Sequence, residues 1–403
     1  MTNAERQQAA AKILERGIIK HVLPAEKEFA ERLAGEKPMR FYIGADPTST
    51  SLHLSHAKNY MLLEEFRQLG HEVIVLIGDF TARIGDPTDK TATRSQLSRE
   101  DVVANVKNWL EQIKPLMDFE AKENPPRILY NHDWLSKLTM EDVVNLASNV
   151  TVQQMLERDM FQKRLAEEKP IHLHEFLYPL MQGYDSVAMD VDVELCGTDQ
   201  IFNALVGRTL LKKFKNKDKF VVAVNLMENP ITGELMSKSR GTGIFLNYSA
   251  VDMYGAIMAQ PDEMTKIFLI NNTRIALEEI AKMISELGPR DAKMKTAWEI
   301  TKIFHGEAAA QSAQEDFIKK FQKKEVPDEM VEVSLGTDKL DLLSILKKCQ
   351  PESSVSDLRR LVEQGGIKLG GEEVKKEVHE QIAIPTEGLV LKAGKRNWFM
   401  LKR

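Results

Sequence analysis

The stretch Met39-Arg40-Phe41-Tyr42-Ile43-Gly44-Ala45-Asp46-Pro47-Thr48, followed closely by Leu52-His53-Leu54-Ser55-His56, decides the fold. Arg40 to Gly44 is a short β-type run, Asp46-Pro47-Thr48 is turn chemistry, and Leu54 to Leu69 repeats its apolar residues at helical spacing. Glu72 to Ile77 is then a nearly continuous apolar run, the pattern of a parallel strand covered on both faces. Further candidate strands are Val191 to Leu195 and Phe220 to Val224, with helical stretches between them. Strands alternating with helices predict an α/β fold built on a doubly wound parallel sheet.

Outward from this core, Asn3 to about Ala34 has helical periodicity and stops at the breaker Gly35-Glu36-Lys37-Pro38. A long, mostly helical stretch from about Arg99 to Met189 reads as an insertion into the sheet domain. The chain is helical again from Ala250 to about Phe321, then polar and punctuated by Pro and Gly as far as Gly336. Its last segment carries two short helices, then β-type alternation around Gly365 to Leu369 and Gly388 to Leu401. The expected organisation is a sheet domain over 1–245 with an inserted region at about 120–190, a helical domain over 246–325, a linker over 326–337 and a small α+β domain over 338–403.

The 403 residues carry a formal charge of −5, which argues against wholesale electrostatic attraction to nucleic acid and leaves any RNA contact to local basic patches. The two cysteines, Cys196 and Cys349, are too few and too isolated for a disulfide framework or a zinc site. With no membrane-length apolar run, the expected compartment is the cytoplasm.

His53 and His56 are three apart, so on a first helical turn both imidazoles face the same way. At the carboxyl end of a parallel strand, beside a helix N-terminus, they could donate hydrogen bonds to a phosphate whose negative charge grows during displacement. Nearly two hundred residues later, Leu235-Met236-Ser237-Lys238-Ser239-Arg240-Gly241 is a Gly- and Ser-rich loop bearing a lysine, the make-up of a phosphate clamp. Either segment alone also occurs by chance in many proteins. As an ordered pair they resemble the two ATP-handling signatures of class I aminoacyl-tRNA synthetases. Ser55 stands where that family usually has glycine, and Leu235 where it has lysine.

The residues between the signatures narrow the resemblance to tyrosyl-tRNA synthetases of the bacterial type. These residues are Ile84-Gly85-Asp86-Pro87, the helix Tyr178-Pro179-Leu180-Met181-Gln182-Gly183-Tyr184-Asp185, and Cys196-Gly197-Thr198-Asp199-Gln200. Spacings of four and three put Tyr178, Gln182 and Asp185 on one helical face, where a carboxylate and an amide are costly to bury unless paired. The resemblance implies a Rossmann-like catalytic domain with an inserted dimerisation region, and activation of L-tyrosine by ATP followed by transfer to tRNA(Tyr). It implies catalytic roles for His53, His56, Lys90, Arg94 and Lys238. Tyrosine would be held by Tyr42, Asp86, Tyr178, Gln182, Asp185 and Gln200, with Tyr42 and Asp185 reading the phenol. ATP would meet Gly44, Asp46, Thr48, Gly197, Asp199, Met236, Ser237 and Ser239. The expectation is a homodimer with no tightly bound cofactor, Mg2+ arriving with ATP, and no membrane partner.

The segment Ser353 to Leu369 resembles the S4 RNA-binding fold, a serine-capped helix with adjacent arginines followed by a Gly-led turn. Ser356 is the expected N-cap. Lys347, Arg359 and Arg360 are candidate phosphate contacts. The run Lys212-Lys213-Phe214-Lys215-Asn216-Lys217 reads as a solvated loop before it reads as a tRNA contact. Two rivals stand beside the tyrosine reading: a tryptophan-specific enzyme of the same class, and a non-catalytic RNA-binding or splicing factor on a synthetase scaffold.

Overall fold

The computed structural model describes residues 2–86, 98–236, 242–322, 330–370, 372–373, 378–394 and 397–403. Helix α1 (Asn3–Glu15) starts on a Thr2–Glu5 capping box, and Gly17, at φ +83°, turns the chain into strand β1 (Ile19–Leu23) before α2 (Glu26–Ala34). The single helix expected from Asn3 to Ala34 is therefore two helices around a strand. Ile19 and Val22, counted as part of a helical stripe, belong to an edge strand pairing antiparallel with β6 (Phe220–Val224).

The remaining strands are β2 (Arg40–Ala45), β3 (Glu72–Ile77), β4 (Arg127–Tyr130) and β5 (Val193–Gly197). The sheet runs β1-β6-β5-β2-β3-β4, and every pair except β1–β6 is parallel. Strands β3 and β6 are buried along almost their whole length, as their unbroken apolar runs require. β4 corrects a second expectation, because it lies inside the stretch taken as helical. Its four residues are too short to show a period, yet they pair in register with Ile74 to Ile77.

From β2 the chain moves through α3 (Leu54–Gln68) to β3 on one side, and α4 (Arg99–Ile113) leads toward β4. It then passes four short helices, α5 (His132–Leu135), α6 (Met140–Ala147), α7 (Val152–Leu156) and α8 (Asp159–Ala166), and the long α9 (Leu173–Met189). Strand β5 lies on the other side of β2, and α10 (Ile201–Lys215) joins it to β6. The strand order reverses between β2 and β5, so their carboxyl ends bound the crevice where such sheets take ligands. The N-terminal half of the core is aromatic: Phe41 stacks on Phe66 at 4.4 Å between ring centroids, and Phe29 meets both Phe41 and Phe220.

Five helices follow, α11 (Ala250–Met258), α12 (Met264–Asn272), α13 (Leu277–Glu286), α14 (Pro289–His305) and α15 (Glu307–Phe317). Arg16, just beyond α1, donates to the carbonyls of Leu269, Ile270, Thr273 and Ile275 at the end of α12. One guanidinium thereby satisfies carbonyls that a helix terminus leaves without intrahelical partners.

The chain divides into two units, Met1–Gln314 and Glu315–Arg403. In the second, strands β7 (Val331–Ser334), β9 (Ile367–Leu369), β10 (Glu372–Glu373), β12 (Leu389–Ala393) and β13 (Asn397–Lys402) form a sheet in the order β10-β9-β12-β13-β7. Strands β8 (Lys339–Asp341) and β11 (Gln381–Ala383) make a separate pair, and α16 (Leu342–Cys349) and α17 (Val355–Glu363) close a core around Ile345, Leu346, Leu358 and Leu391. This is the small α+β unit expected, with two corrections. β7 lies inside the expected linker, its alternating Val331 and Val333 pairing in parallel with β13. The N-cap of α17 is Ser354, whose Oγ accepts from the Asp357 N–H, and Ser356 lies within the helix.

Replacing Arg16 with alanine leaves four carbonyls short of a donor, and unfolding of the first unit, followed by denaturant titration, should be easier by about 2 kcal/mol.

Candidate active site

The crevice is lined by carboxylates, each held by its own donors. At the end of β2, Asp46 accepts from Thr81 Oγ1 at 2.6 Å and from the Tyr178 hydroxyl at 2.9 Å. A Cβ on Gly78 would stand 1.9 Å from Asp46 Oδ1, so only glycine leaves room for this carboxylate. Asn131, the residue after β4, accepts from the Phe80 N–H and donates to both Thr81 Oγ1 (3.0 Å) and Asp185 Oδ2 (3.3 Å). Trp134 Nε1 donates to Asp185 Oδ1 at 2.8 Å. An unbroken chain therefore runs Tyr178–Asp46–Thr81–Asn131–Asp185–Trp134.

A second chain crosses the other wall. Gln200 donates to Asp86 Oδ2 at 2.7 Å and its amide oxygen accepts from Asn203. Asn203 also donates to Gln182, whose Nε2 donates to Glu194 Oε1 at 3.0 Å. Glu194, paired in register with Tyr42 across β2 and β5, forms a buried ion pair with Lys219. Lys219 Nζ donates to Ser186 Oγ at 2.7 Å, and Ser186 Oγ lies 2.9 Å from the Tyr42 hydroxyl. Helix α9 places Tyr178, Gln182, Asp185 and Ser186 along this wall, so the face read from the sequence extends one residue further.

Burial and mutual repulsion drive the acidic groups upward. Burial, reinforced by Asp86 and Asp79, raises the Asp46 pKa to about 7 against the pull of its two hydroxyl donors. Burial also lifts Asp185 well above the usual carboxylate range despite Trp134 and Asn131, with Asp46 and Glu194 adding to the rise. Asp199 is raised by burial and by Asp86. Its carboxylate folds back over Gly197, where a Cβ would lie 2.3 Å from Asp199 Oδ1. Tyr42 and Tyr178 are pushed upward by burial and keep their protons.

The turn from β2 to α3 is shaped by α4. Asn105 donates to the Pro47 carbonyl, Trp109 Nε1 to that of Ser49, and Gln112 to that of Thr50 while accepting from the Leu52 N–H. Gly44 is exposed at the strand end and Thr48 is half-buried in this turn. The turn delivers His53 and His56, whose ring centroids lie 3.9 Å apart. The His53 backbone N–H donates to His56 Nδ1, so a neutral His56 ring carries its proton on Nε2 and presents that as the donor. Burial lowers the His53 pKa to about 4 and takes His56 well below its ordinary value, with nearby Lys58 adding to both effects. Lys58, itself buried, is lowered to about 7 with Asp199 opposing the shift.

Residues flanking the second signature reach back to the first. The Leu54 N–H donates to the Ile244 carbonyl and the Leu246 N–H to that of Leu52, bridging His53 and Phe245 in antiparallel fashion. On the other flank, buried Met236 donates its N–H to the Met227 carbonyl, and Leu235 is exposed. Ser237, Lys238 and Ser239, like Lys90 and Arg94, lie outside the described residues. In the second unit, Arg359 and Arg360 are exposed on α17, whereas Lys347 Nζ donates to the Pro351 and Ser353 carbonyls and so staples the turn after α16. That turn gives the exposed Lys347 two local backbone partners.

Several residues here escaped sequence reading. Asn131 and Trp134 were hidden with β4. Ser186 falls four residues after Gln182 and could have been found by the spacing that found Asp185. Lys219 follows Lys217 and Asp218 in a charged run, so nothing in its neighbourhood marks it as buried.

The model of the class I tRNA synthetases (W and Y) matches residues 34–322. The chain belongs to this family of class I tRNA synthetases. The synthetase is 42% identical over 396 residues to the tyrosine–tRNA ligase of Thermotoga maritima, covering 97% of this chain and 96% of that one. It is 43% identical over 354 residues to the tyrosine–tRNA ligase of Haemophilus influenzae, covering 87% of each. Among solved structures, the truncated mitochondrial tyrosyl-tRNA synthetase of Aspergillus nidulans matches its fold with a TM-score of 0.66 at 22% identity, over 79% of this synthetase and 99% of that chain. The tryptophanyl-tRNA synthetase of Plasmodium falciparum matches at 0.56 and 14%, over 78% and 90%.

Lowered pKa values mean that neutral imidazoles persist as pH falls, where an unperturbed histidine would be charging near pH 6.5. In a 15N histidine titration, His53 should stay neutral until about pH 4, and His56 should stay neutral at pH values where a free histidine has already become charged.

Proposed function

We propose that this synthetase is a tyrosine–tRNA ligase: it joins L-tyrosine to ATP as tyrosyl-adenylate, then transfers the tyrosyl group to the 3′ end of tRNA(Tyr). The observation that carries the proposal is one crevice with an acidic pole at Asp46, Asp86 and Tyr178 and a phenol-reading pole at Tyr42 and Asp185. The substrate ammonium fits the first pole, where Asp86 adds to the raised pKa of Asp46 and the buried Arg158 interacts with Asp86. The substrate hydroxyl fits the second. Gln182 and Gln200, fixed by Asn203, hold the amino acid between them, with Gln200 next to its carboxylate.

In the first step a carboxylate oxygen of tyrosine attacks the α-phosphorus in line, a P–O bond forms, and the bond to pyrophosphate breaks. In the second, a ribose hydroxyl at the tRNA 3′ end attacks the activated carbonyl and AMP leaves. No side chain serves as nucleophile, so the rate comes from positioning and from donors aimed at developing negative charge. His53 and His56 act as neutral N–H donors to the phosphates, and Gly44, Thr48, Gly197 and Asp199 seat the nucleotide. Asp46, first read as an ATP contact, sits against Tyr178 and serves the ammonium pole as well. Lys90, Arg94 and Lys238 supply positive charge to the pyrophosphate, with Met236, Ser237 and Ser239 as further contacts to ATP. Magnesium belongs to this scheme as the ion carried by ATP.

Tryptophan is the weaker substrate, because an indole leaves the Tyr42 hydroxyl and Asp185 without the phenol they are placed to meet. A non-catalytic RNA binder has no reason to keep so many carboxylates in one crevice. The second unit is read as an S4-like RNA-binding domain presenting Arg359 and Arg360. A homodimer is supported by apolar side chains left exposed in the inserted region, Met140 and Leu173 at 78% and Val152 at 63%. Among the described residues no helix is long and apolar enough to cross a membrane, and the cytoplasm is the proposed compartment.

Pyrophosphate exchange measured with each of the twenty amino acids should show activity with tyrosine and only background with phenylalanine or tryptophan; exchange with tryptophan alone would reverse the assignment. Lys238→Ala should lower the exchange kcat by about 10²-fold and leave the KM for tyrosine almost unmoved.

The raised Asp46 pKa gives a signed pH effect. Below about pH 7 the empty site holds a proton on Asp46 that must leave before the ammonium binds. The KM for tyrosine should therefore climb as pH falls from 8 to 6, and Asp46→Asn should bind tyrosine more weakly with a flatter profile.

A further inference from the structure

Lys219 is a fully buried side chain beside the pocket, and its ammonium donates hydrogen bonds without accepting any. Its place is built rather than incidental. A Cβ on Gly207 of α10 would come within 2.7 Å of Lys219 Nζ and 3.0 Å of Ser186 Oγ, so glycine is required for the ammonium to reach the serine. Gly183 lets α9 and α10 approach at the same level, since a Cβ there would lie 3.2 Å from the Gly207 nitrogen. Glu194 neutralises the charge with Oε2 and takes the Gln182 amide with Oε1.

The ammonium fixes which way the neighbouring hydroxyls point. Ser186 Oγ must accept from Lys219, so its own proton turns elsewhere. Two acceptors are in reach: the Tyr42 oxygen at 2.9 Å and Glu194 Oε2 at 3.5 Å, the latter already paired with Lys219. A hydroxyl hydrogen bond is optimal near 2.7 to 2.8 Å and weak at the longer separation, so the Ser186 proton goes to Tyr42. The Tyr42 oxygen is then an acceptor from Ser186, and its own O–H is left to choose between Glu194, which already accepts from Lys219 and Gln182, and another partner. Burial keeps that phenol protonated.

Resting on the tyrosine reading, we propose that Lys219, through Ser186, sets the direction of hydrogen bonding at Tyr42, so that Tyr42 donates to the oxygen of the bound phenol while the bound phenol donates to Asp185. The substrate hydroxyl becomes one link in a chain that runs from an ammonium to a carboxylate, each donor polarising the next. Lys219 is thus a positioning residue for specificity, acting through Ser186 and Tyr42 without touching the substrate. With the Ser186 donor lost, Tyr42 spends its proton on Glu194, or on Ser186 where that hydroxyl remains without its ammonium, and the phenol oxygen of tyrosine faces a lone pair.

The test compares Ser186→Ala, and the charge-removing double variant Lys219→Met with Glu194→Gln, against the unaltered protein. It uses pyrophosphate exchange with tyrosine and phenylalanine, and thermal melting as the check on folding. Both variants should raise the KM for tyrosine about tenfold, the loss expected for a single neutral hydrogen bond. The ratio of tyrosine to phenylalanine kcat/KM should fall by a similar factor, while the KM for ATP stays put. If the double variant does not fold, Ser186→Ala decides alone, because it deletes one hydroxyl and no charge. A tyrosine to phenylalanine ratio within twofold of the starting value in folded Ser186→Ala overturns the inference, as does a loss shared equally by tyrosine KM, ATP KM and kcat. Absence of tyrosine exchange in the unaltered protein would instead overturn the function on which the inference rests.

Discussion

Mutual repulsion among Asp46, Asp86, Asp185, Glu194 and Asp199 is the constraint on which the site depends. Burial holds Asp46 and Asp185 above the usual carboxylate range, and the carboxylates around them add to the rise. The fold answers in three different ways. Asp46, Asp185 and Asp86 are given hydroxyl, indole and amide donors; Glu194 is given a buried ammonium; and Asp46 and Asp199 are left with raised affinity for protons. In the proposed function, the ammonium of the amino acid adds positive charge beside these carboxylates. Catalytic use and folding stability pull in opposite directions at these positions.

The same economy shapes the nucleotide end. Three side chains of α4 hold the turn after β2, and residues 244–246 pair with residues 52–54, so two motifs separated by nearly two hundred residues share one local backbone ladder. Burial lowers the pKa of both histidines in this turn, and in the proposed reaction they act on phosphate as neutral N–H donors.

Much of this was legible in the residues. The β2 strand, its turn and the HxxH helix announced themselves through period and turn chemistry, and the spacing on α9 placed Tyr178, Gln182 and Asp185 on one wall before any coordinate did. What escaped did so for identifiable reasons. β4 is four residues long beside two prolines, and with it went Asn131, which joins Asp46 to Asp185 through Thr81. β1 was read as helix because Ile18, Ile19, Val22 and Leu23 satisfy either period, and only pairing with β6 decides between them. Lys219 shows no local sign of burial; its partner lies 25 residues away on a neighbouring strand.

Gly207 has a consequence for how this protein can change. A Cβ at that position crowds the Lys219 ammonium, which must then shift away from Ser186; a lost ammonium leaves Glu194 without its ion pair, and an altered Glu194 takes the acceptor from the Gln182 amide. The three positions lie on different elements, and no single replacement among them leaves the other two intact. Drift toward another amino acid from this end of the pocket thus meets an evolutionary ratchet: the intermediates are damaged proteins, and only a coordinated exchange crosses the gap.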